Sequence, residues 1–379
     1  MNLAVKDIRA NLARFLLTGL GVGLTLLAAM SMTGLYHGIV SDALAIIDDS
    51  GADLWVIQAG TEGPFAEGSS IDRRTLARTL SVPGVRAARQ FTLQSRRFEI
   101  HGNTVRGSLI GLDFPADRGE WIPLLAGRPL AAGRGEAIAD ESTGLRLGDE
   151  LHLDGTRCVV VGLARHYLDS SGNPVVALGI NDALDVQTHR PADAVAISRA
   201  AGRPVPSGRA ANVAAIMLEL EDSADVTEVR RTIDRWGDVT VLSAEEQRTV
   251  FLYGRLGRLR GQILMFTAVL LLVSAVVIAV TIYTMTLEKQ HEIALLKLIG
   301  SPNGPIVSMI LQQALALGAL GYGIAVLLGP LIWPLFPRRL VQPPQDFLMF
   351  AAIVLVLCGV GALLGIWKAM QVEAREVLS

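Results

Sequence analysis

The side chains of this 379-residue chain that could do acid–base or metal chemistry are scattered. Its histidines are His37, His101, His152, His166, His189 and His291, and none stands at metal-ligand spacing from another histidine or a cysteine. His166 and Asp169 are close enough in sequence to meet on a turn. Glu99 and His101 alternate along an expected strand and share a face. Both pairs read as solvated polar groups. Cys158 falls in an expected strand and Cys358 in an apolar run, so each reads as a small buried hydrophobe. No G-x-x-x-x-G-K-[ST] phosphate loop is present. Charge crowds in one place, Ile282–Pro305. There Glu288, Lys289, His291, Glu292 and Lys297 follow an apolar run, and Ile293, Leu296 and Ile299 form a row at helical spacing with Leu295 and Leu298 beside it. Gly300-Ser301-Pro302 stops that helix, because glycine suits a left-handed cap and proline cannot continue the ladder. These residue types suit a surface for another protein to grip better than a reaction centre.

The elements that position this stretch are membrane helices. The chain is 51% hydrophobic and only 18% charged, with a net charge of −2, which favours a membrane class and gives no reason to expect nucleic acid as a partner. Four apolar runs, at residues 15–35, 263–287, 306–332 and 347–367, are each long enough to cross a bilayer. The first is longer than the apolar core of a cleaved signal peptide and lacks a clean cleavage site. Gly19 and Gly23, and again Gly361 and Gly365, form Gly-x-x-x-Gly pairs that allow close helix packing in lipid. Aspartate and glutamate are nearly absent from the spans, which leaves no proton relay for an ion-coupled carrier. Residues 1–14 read as an amphipathic segment, with Leu3, Val5, Ile8 and Leu12 toward lipid and Lys6, Arg9 and Arg14 toward headgroups.

Residues 36–260 read as a soluble domain. A split α/β part is expected at 50–115 and 211–250, with a β-rich insert, a small barrel or sandwich, at 120–200. Helices are expected at Asp72–Leu80, capped by Asp72, and at Asp225–Trp236. Residues 191–210 read as a surface loop, and 243–262 as an amphipathic stem helix. A short stretch, 333–346, joins the third and fourth spans, and 368–379 form a tail. Counting Lys6, Arg9, Arg14, Lys289, Lys297, Lys368 and Arg375 against Arg255, Arg258, Arg260, Arg338 and Arg339 gives seven against five. The positive-inside rule then puts both termini and residues 288–305 in the cytoplasm and the large domain outside. The expected fold is an α-helical membrane protein with four transmembrane helices and a large α+β extracytoplasmic domain inserted between helices 1 and 2.

Glu288, Glu292-Ile293, Ala294-Leu295-Leu296-Lys297 and Gly300 resemble the cytoplasmic loop of MacB/FtsX-type ABC permeases, the mechanotransmission class. The "GRPL…GD…VVVG" run resembles the usual pattern of the insert in that family's outer domain, and the likeness extends across most of the chain. The length and single four-span unit look most like the DevC-like split permeases. The family's usual proline near the position of Glu373 is missing. The resemblance implies a non-catalytic subunit of the bacterial inner membrane, with no cofactor of its own. ATP and Mg would be bound by a separate ABC ATPase. Leu295, Leu296, Leu298 and Ile299 would be docking knobs, Glu288, Glu292 and Lys297 would set polar contacts and register, and Ile293 and Gly300 complete the motif. It also implies pairing with a second copy and export with a periplasmic adaptor and an outer-membrane channel. Lipoprotein release, or FtsX-like activation of cell-wall hydrolases, are the alternative branches. A receptor or an outward-facing enzyme would leave residues 288–305 without a purpose.

Overall fold

The computed structural model describes residues 12–100, 103–153, 155–169, 172–189, 212–299, 302–336 and 338–371. In chain order the elements are α1 (Leu12–Asp49), β1 (Leu54–Gln58), α2 (Gly63–Ala66), β2 (Ile71–Asp72), α3 (Thr75–Leu80), β3 (Val85–Ile100), β4 (Asn103–Leu112), β5 (Leu124–Gly127), β6 (Glu136–Asp140), β7 (Glu150–Leu153), β8 (Thr156–Ala164), β9 (Val175–Gly179) and α4 (Ile180–Thr188). There follow β10 (Asn212–Val213), β11 (Ala215–Leu220), α5 (Val226–Asp234), β12 (Val239–Ser243), α6 (Ala244–Val250), α7 (Gly257–Glu288), α8 (Gln290–Leu298), α9 (Asn303–Ile332) and α10 (Pro344–Gln371). Two compact units share the chain. One takes residues up to Gly38 and from Leu259 onward, and the other takes Ile39–Arg258.

The first unit is a helical bundle. Helices α1, α7, α9 (counted to Leu335) and α10 are long and apolar enough to cross a membrane. Between lipid-facing helices apolar burial gives little drive, so small residues and close contact must hold the bundle. A methyl carbon placed on Gly19 of α1 would stand 2.4 Å from Leu320 Cδ2 of α9, and one on Gly23 would stand 3.0 Å from Gly321 O. On α10, a carbon on Gly361 would meet Ile278 Cγ2 of α7 at 2.9 Å, and one on Gly365 would meet Ile282 Cγ2 at 2.7 Å. Gly318 of α9 faces Cys358 Sγ of α10 in the same way, at 2.2 Å. The hydroxyls of Thr25 and Ser274, 2.7 Å apart, link α1 to α7. The helices thus contact in a ring, α1–α9–α10–α7, around buried Leu26, Met30, Ile282, Ile310, Leu317 and Phe350.

The soluble domain is expected to begin at residue 36, but the helix of the first span continues to Asp49. Residues 36–49 contain one glycine and no proline. The helix stops only where Gly51 takes a left-handed backbone, φ +67°. The second unit, Ile39–Arg258, carries a ten-stranded mixed sheet ordered β12-β1-β11-β3-β4-β9-β6-β8-β5, with β7 paired to β8. This corrects the expectation of a separate barrel or sandwich at 120–200. Strand β9 runs parallel to β4, from Ser108↔Val175 to Leu112↔Gly179, and so joins the later strands to the earlier sheet. All five β9 residues are buried, as in a strand covered on both faces. Trp55, Phe65 and Phe91 meet at ring distances of 5.2–5.9 Å in the domain core.

Asp225 caps α5 by accepting from Thr227 N at 2.9 Å. Asp72 lies in β2, and its carboxylate accepts from Arg74 N, so α3 starts at Thr75. The stem is not one helix. Helix α6 opens with a Ser243–Glu246 capping box, and a π-helical turn at Phe251–Arg255 precedes α7. Gly254 and Gly257 loosen the ladder there. Residues 1–11 of the amphipathic segment, the 191–210 loop, Gly300 and 372–379 of the tail lie outside the described residues.

Candidate functional site

Among the described residues, helix α8 is the only element between α7 and α9, so any load on it falls on the ends of two apolar helices. It starts after a break at Lys289, whose backbone (φ −102°, ψ 10°) leaves the helical region. Ile293 N then donates to Lys289 O at 2.9 Å and opens the new helix. Its two faces differ. Ile293 and Ala294 are buried, and Ile293 joins the core of the bundle. His291, Glu292, Leu295, Leu298 and Ile299 are exposed, Ile299 by 83%. The spacing of these five, i, i+1, i+4, i+7 and i+8, is that of one helical face. Three exposed aliphatic side chains beside a carboxylate make a surface that a protein groove can cover. The side chain of Leu296 lies outside the described ones.

Two residues expected to meet a partner are engaged within the chain. Lys297 Nζ donates to Ala369 O at 2.9 Å and Met370 O at 3.2 Å, at the last turn of α10. A carbonyl oxygen carries the negative end of its peptide dipole, so an ammonium suits that position. Glu288 pairs with Arg14 of α1, whose other guanidinium nitrogen donates to Thr284 Oγ1 at 2.7 Å. Lys289 Nζ lies 3.7 Å from Glu292. Arg14 is a role the sequence reading missed. The signal for it was a lone arginine at the start of an apolar run.

Polar groups of the α/β unit find partners within the chain. Arg89 is buried with Asp117 Oδ2 at 3.2 Å and Glu219 Oε1 at 2.9 Å, and donates to Ser50 O at 2.8 Å. Asp182 accepts from Gly135 N at 2.6 Å, and burial pushes its carboxyl up. Burial, with Asp182 nearby, pushes the Cys158 thiol up to about 12, which makes it inert. His166 faces Glu141 at 3.6 Å, while Asp169 accepts from Ser108 and Asn173, so the expected His166–Asp169 contact is replaced by other partners. Among the described residues no group of three or more His, Cys, Asp or Glu could hold a metal ion. A cleft of about 250 Å³ in the α/β unit is lined by Phe65, Leu93, Ser95, Asp169 and Phe251.

A four-helix apolar bundle carries an α/β unit between its first two helices and a short helix between the second and third, and the family models identify this arrangement as a membrane permease of the ABC transporter class. The family model of the MacB-like periplasmic core domain matches residues 15–236, more than half of the chain, and the chain belongs to this family. The FtsX-like permease C-terminal model matches residues 264–374. The chain is 23% identical over 377 residues to an uncharacterized ABC transporter permease of Mycobacterium tuberculosis, covering 98% of this chain and 97% of that one. A similar permease of Mycobacterium bovis is 22% identical over the same span and shares of the two chains. The crystal structure of the periplasmic region of MacB from Actinobacillus actinomycetemcomitans matches with TM-score 0.38 and 14% identity, over 53% of this chain and 92% of that one. The chain is thus a multi-pass membrane permease of the MacB/FtsX type.

Proposed function

We propose that this permease couples ATP hydrolysis by a separate ATPase subunit to motion of the unit Ile39–Arg258, and that α8 is the helix the ATPase grips. The observation that carries this reading is the division of α8. Its inner face is locked by Ile293, Ala294 and Lys297, while His291, Glu292, Leu295, Leu298 and Ile299 stand exposed. Buried area of this kind is worth roughly 25 cal/mol per Å² once a partner covers it. Burying a charge in place of an exposed leucine would remove that gain and add a desolvation cost. ATP and Mg belong to the ATPase subunit. The reading places α8 and both termini in the cytoplasm and Ile39–Arg258 outside the inner membrane. There a second copy and a periplasmic adaptor leading to an outer-membrane channel would act with it in export.

The test is affinity purification of tagged full-length chain from native membranes with ATP present. An ABC ATPase should accompany the wild type and be lost from Leu298→Asp, while both insert in the membrane equally. Equal recovery of the ATPase with both chains would remove α8 as the dock.

A further inference from the structure

Helix α10 is fastened at both ends. At its C-terminal end the Lys297 ammonium of α8 holds the carbonyls of Ala369 and Met370. Ala369 is fully buried, and a carbon on Gly365 would stand 2.7 Å from Ile282 Cγ2 and 3.1 Å from Thr286 Oγ1 of α7. At its N-terminal end Asp346 is buried in the first turn, with Oδ2 3.1 Å from His37 Nε2 of α1. The two groups are in contact without an aligned hydrogen bond. The segment leading into that end is strapped along α1. Val341 N donates to Gly34 O at 3.0 Å, and Gln342 Nε2 donates to Met30 O at 3.0 Å. A carbon on Gly38 would lie 1.9 Å from Arg339 O, so backbone meets backbone there. The carboxylate sits at the positive end of the helix dipole and the ammonium at the negative end, the arrangement a helix favours. At 1.5 Å rise per residue, the 28 residues of α10 span about 42 Å. A helix of that length is held by polar contacts at both ends and by glycine contacts along its side.

We propose that α10 is a strut that carries displacement of α8 to α1, with Lys297 as the positioning residue at one end and the His37–Asp346 contact at the other. The proposal rests on the reading of α8 as the ATPase dock, and it adds a route through α10 beside the one through α7 and the stem. Without Lys297 the dock remains exposed and α10 loses its hold on it.

Hydrogen exchange of the full-length chain in lipid nanodiscs tests the strut without nucleotide or ATPase. Lys297→Met is expected to speed exchange about tenfold at residues 290–298 and 364–371. It should also speed exchange, by at least threefold, at residues 30–38 of α1, the far end of the strut. Lys297→Arg, which keeps a cation able to reach the same carbonyls, should restore both. Asp346→Asn should act in reverse, loosening 30–38 first and 290–298 with it. Effects confined to the end that is mutated would overturn the strut, as would unchanged exchange in Lys297→Met. The docking reading fails separately, if the wild-type chain recovers no ATPase. In that event the exchange result still decides whether α10 links its two ends.

Discussion

The helical bundle and the α/β unit use polar side chains in opposite ways. In the α/β unit they are spread through the interior. Arg89 is buried between Asp117 and Glu219 and also holds Ser50 O, and Asp182 is buried beneath Gly135 and Arg134. In the bundle the interior is joined by glycines, the Thr25–Ser274 hydroxyl pair and apolar side chains, and the ionisable groups meet near helix ends: Arg14 with Glu288, Lys297 with the last turn of α10, and Asp346 in the first turn of α10 with His37. Hydrocarbon offers no water to a charge, so charges in a membrane bundle are confined to the helix ends. In the α/β unit buried charges therefore fix a fold. In the bundle the charges sit where loops and partner proteins can pull.

Four changes probe this contrast, from the largest effect to the smallest. Gly318→Leu should prevent assembly of the bundle, because even its first carbon would fall 2.2 Å from Cys358 Sγ in a fully buried site. The check is loss of a monodisperse peak in detergent, and a normal peak would break the glycine-contact picture. Arg89→Ala should cost about 3 kcal/mol by leaving the buried Asp117 without its cation, held only by Gly119 N and Trp121 Nε1. Limited proteolysis should then cut within Ile39–Arg258 while the apolar helices stay protected, and cleavage spread over both units would blur the distinction. Leu295→Asp should weaken ATPase recovery by at least about tenfold, or 1.4 kcal/mol, with no change in thermal stability. A matching loss of stability would mean the exposed face of α8 is structural.

The smallest effect concerns pH. The guanidinium of Arg128 beside Glu136, with the amides of Ala131 and Ala132, holds the Glu136 carboxyl below the usual carboxylate range, against the opposing effect of burial. Its folded value is lower than its unfolded one, so its stabilisation is present above the usual range and fades as pH falls through the folded value. Glu136→Gln should therefore lower the melting temperature by a few degrees at pH 7 and by progressively less as the pH falls below the usual carboxylate range. A difference that persists in acid would show that Glu136 acts by packing.

How much of this was legible in the sequence depends on how local each feature is. The four spans follow from uninterrupted apolar length, and α8 follows from a charged start, a helical apolar row and a Gly-Ser-Pro stop. The facing of α8 was not legible. Lys297 reads as a polar contact for the ATPase, yet its ammonium reaches carbonyls 72 and 73 residues away within the chain. The joined sheet was hidden for the same reason, because the parallel β4–β9 register is set by pairing across some sixty intervening residues. The extension of α1 was hidden by polarity, since the apolar run ends well before a helix-stopping glycine does. The strap was the miss that spacing could have caught. Gly34 and Gly38 repeat the Gly-x-x-x-Gly pattern of Gly19 and Gly23, and the structure lays the 338–342 backbone against them.

The exposed face of α8 is the surface proposed to meet the ATPase. The most direct measurement is quantitative mass spectrometry of what copurifies with the tagged wild-type chain and with Leu298→Asp, from the same native membrane at equal expression. An ABC ATPase near one-to-one with the wild type, and reduced at least about tenfold in the variant, is the predicted result. The same amount of ATPase with both chains, or none with the wild type in mild detergent with nucleotide present, would contradict it.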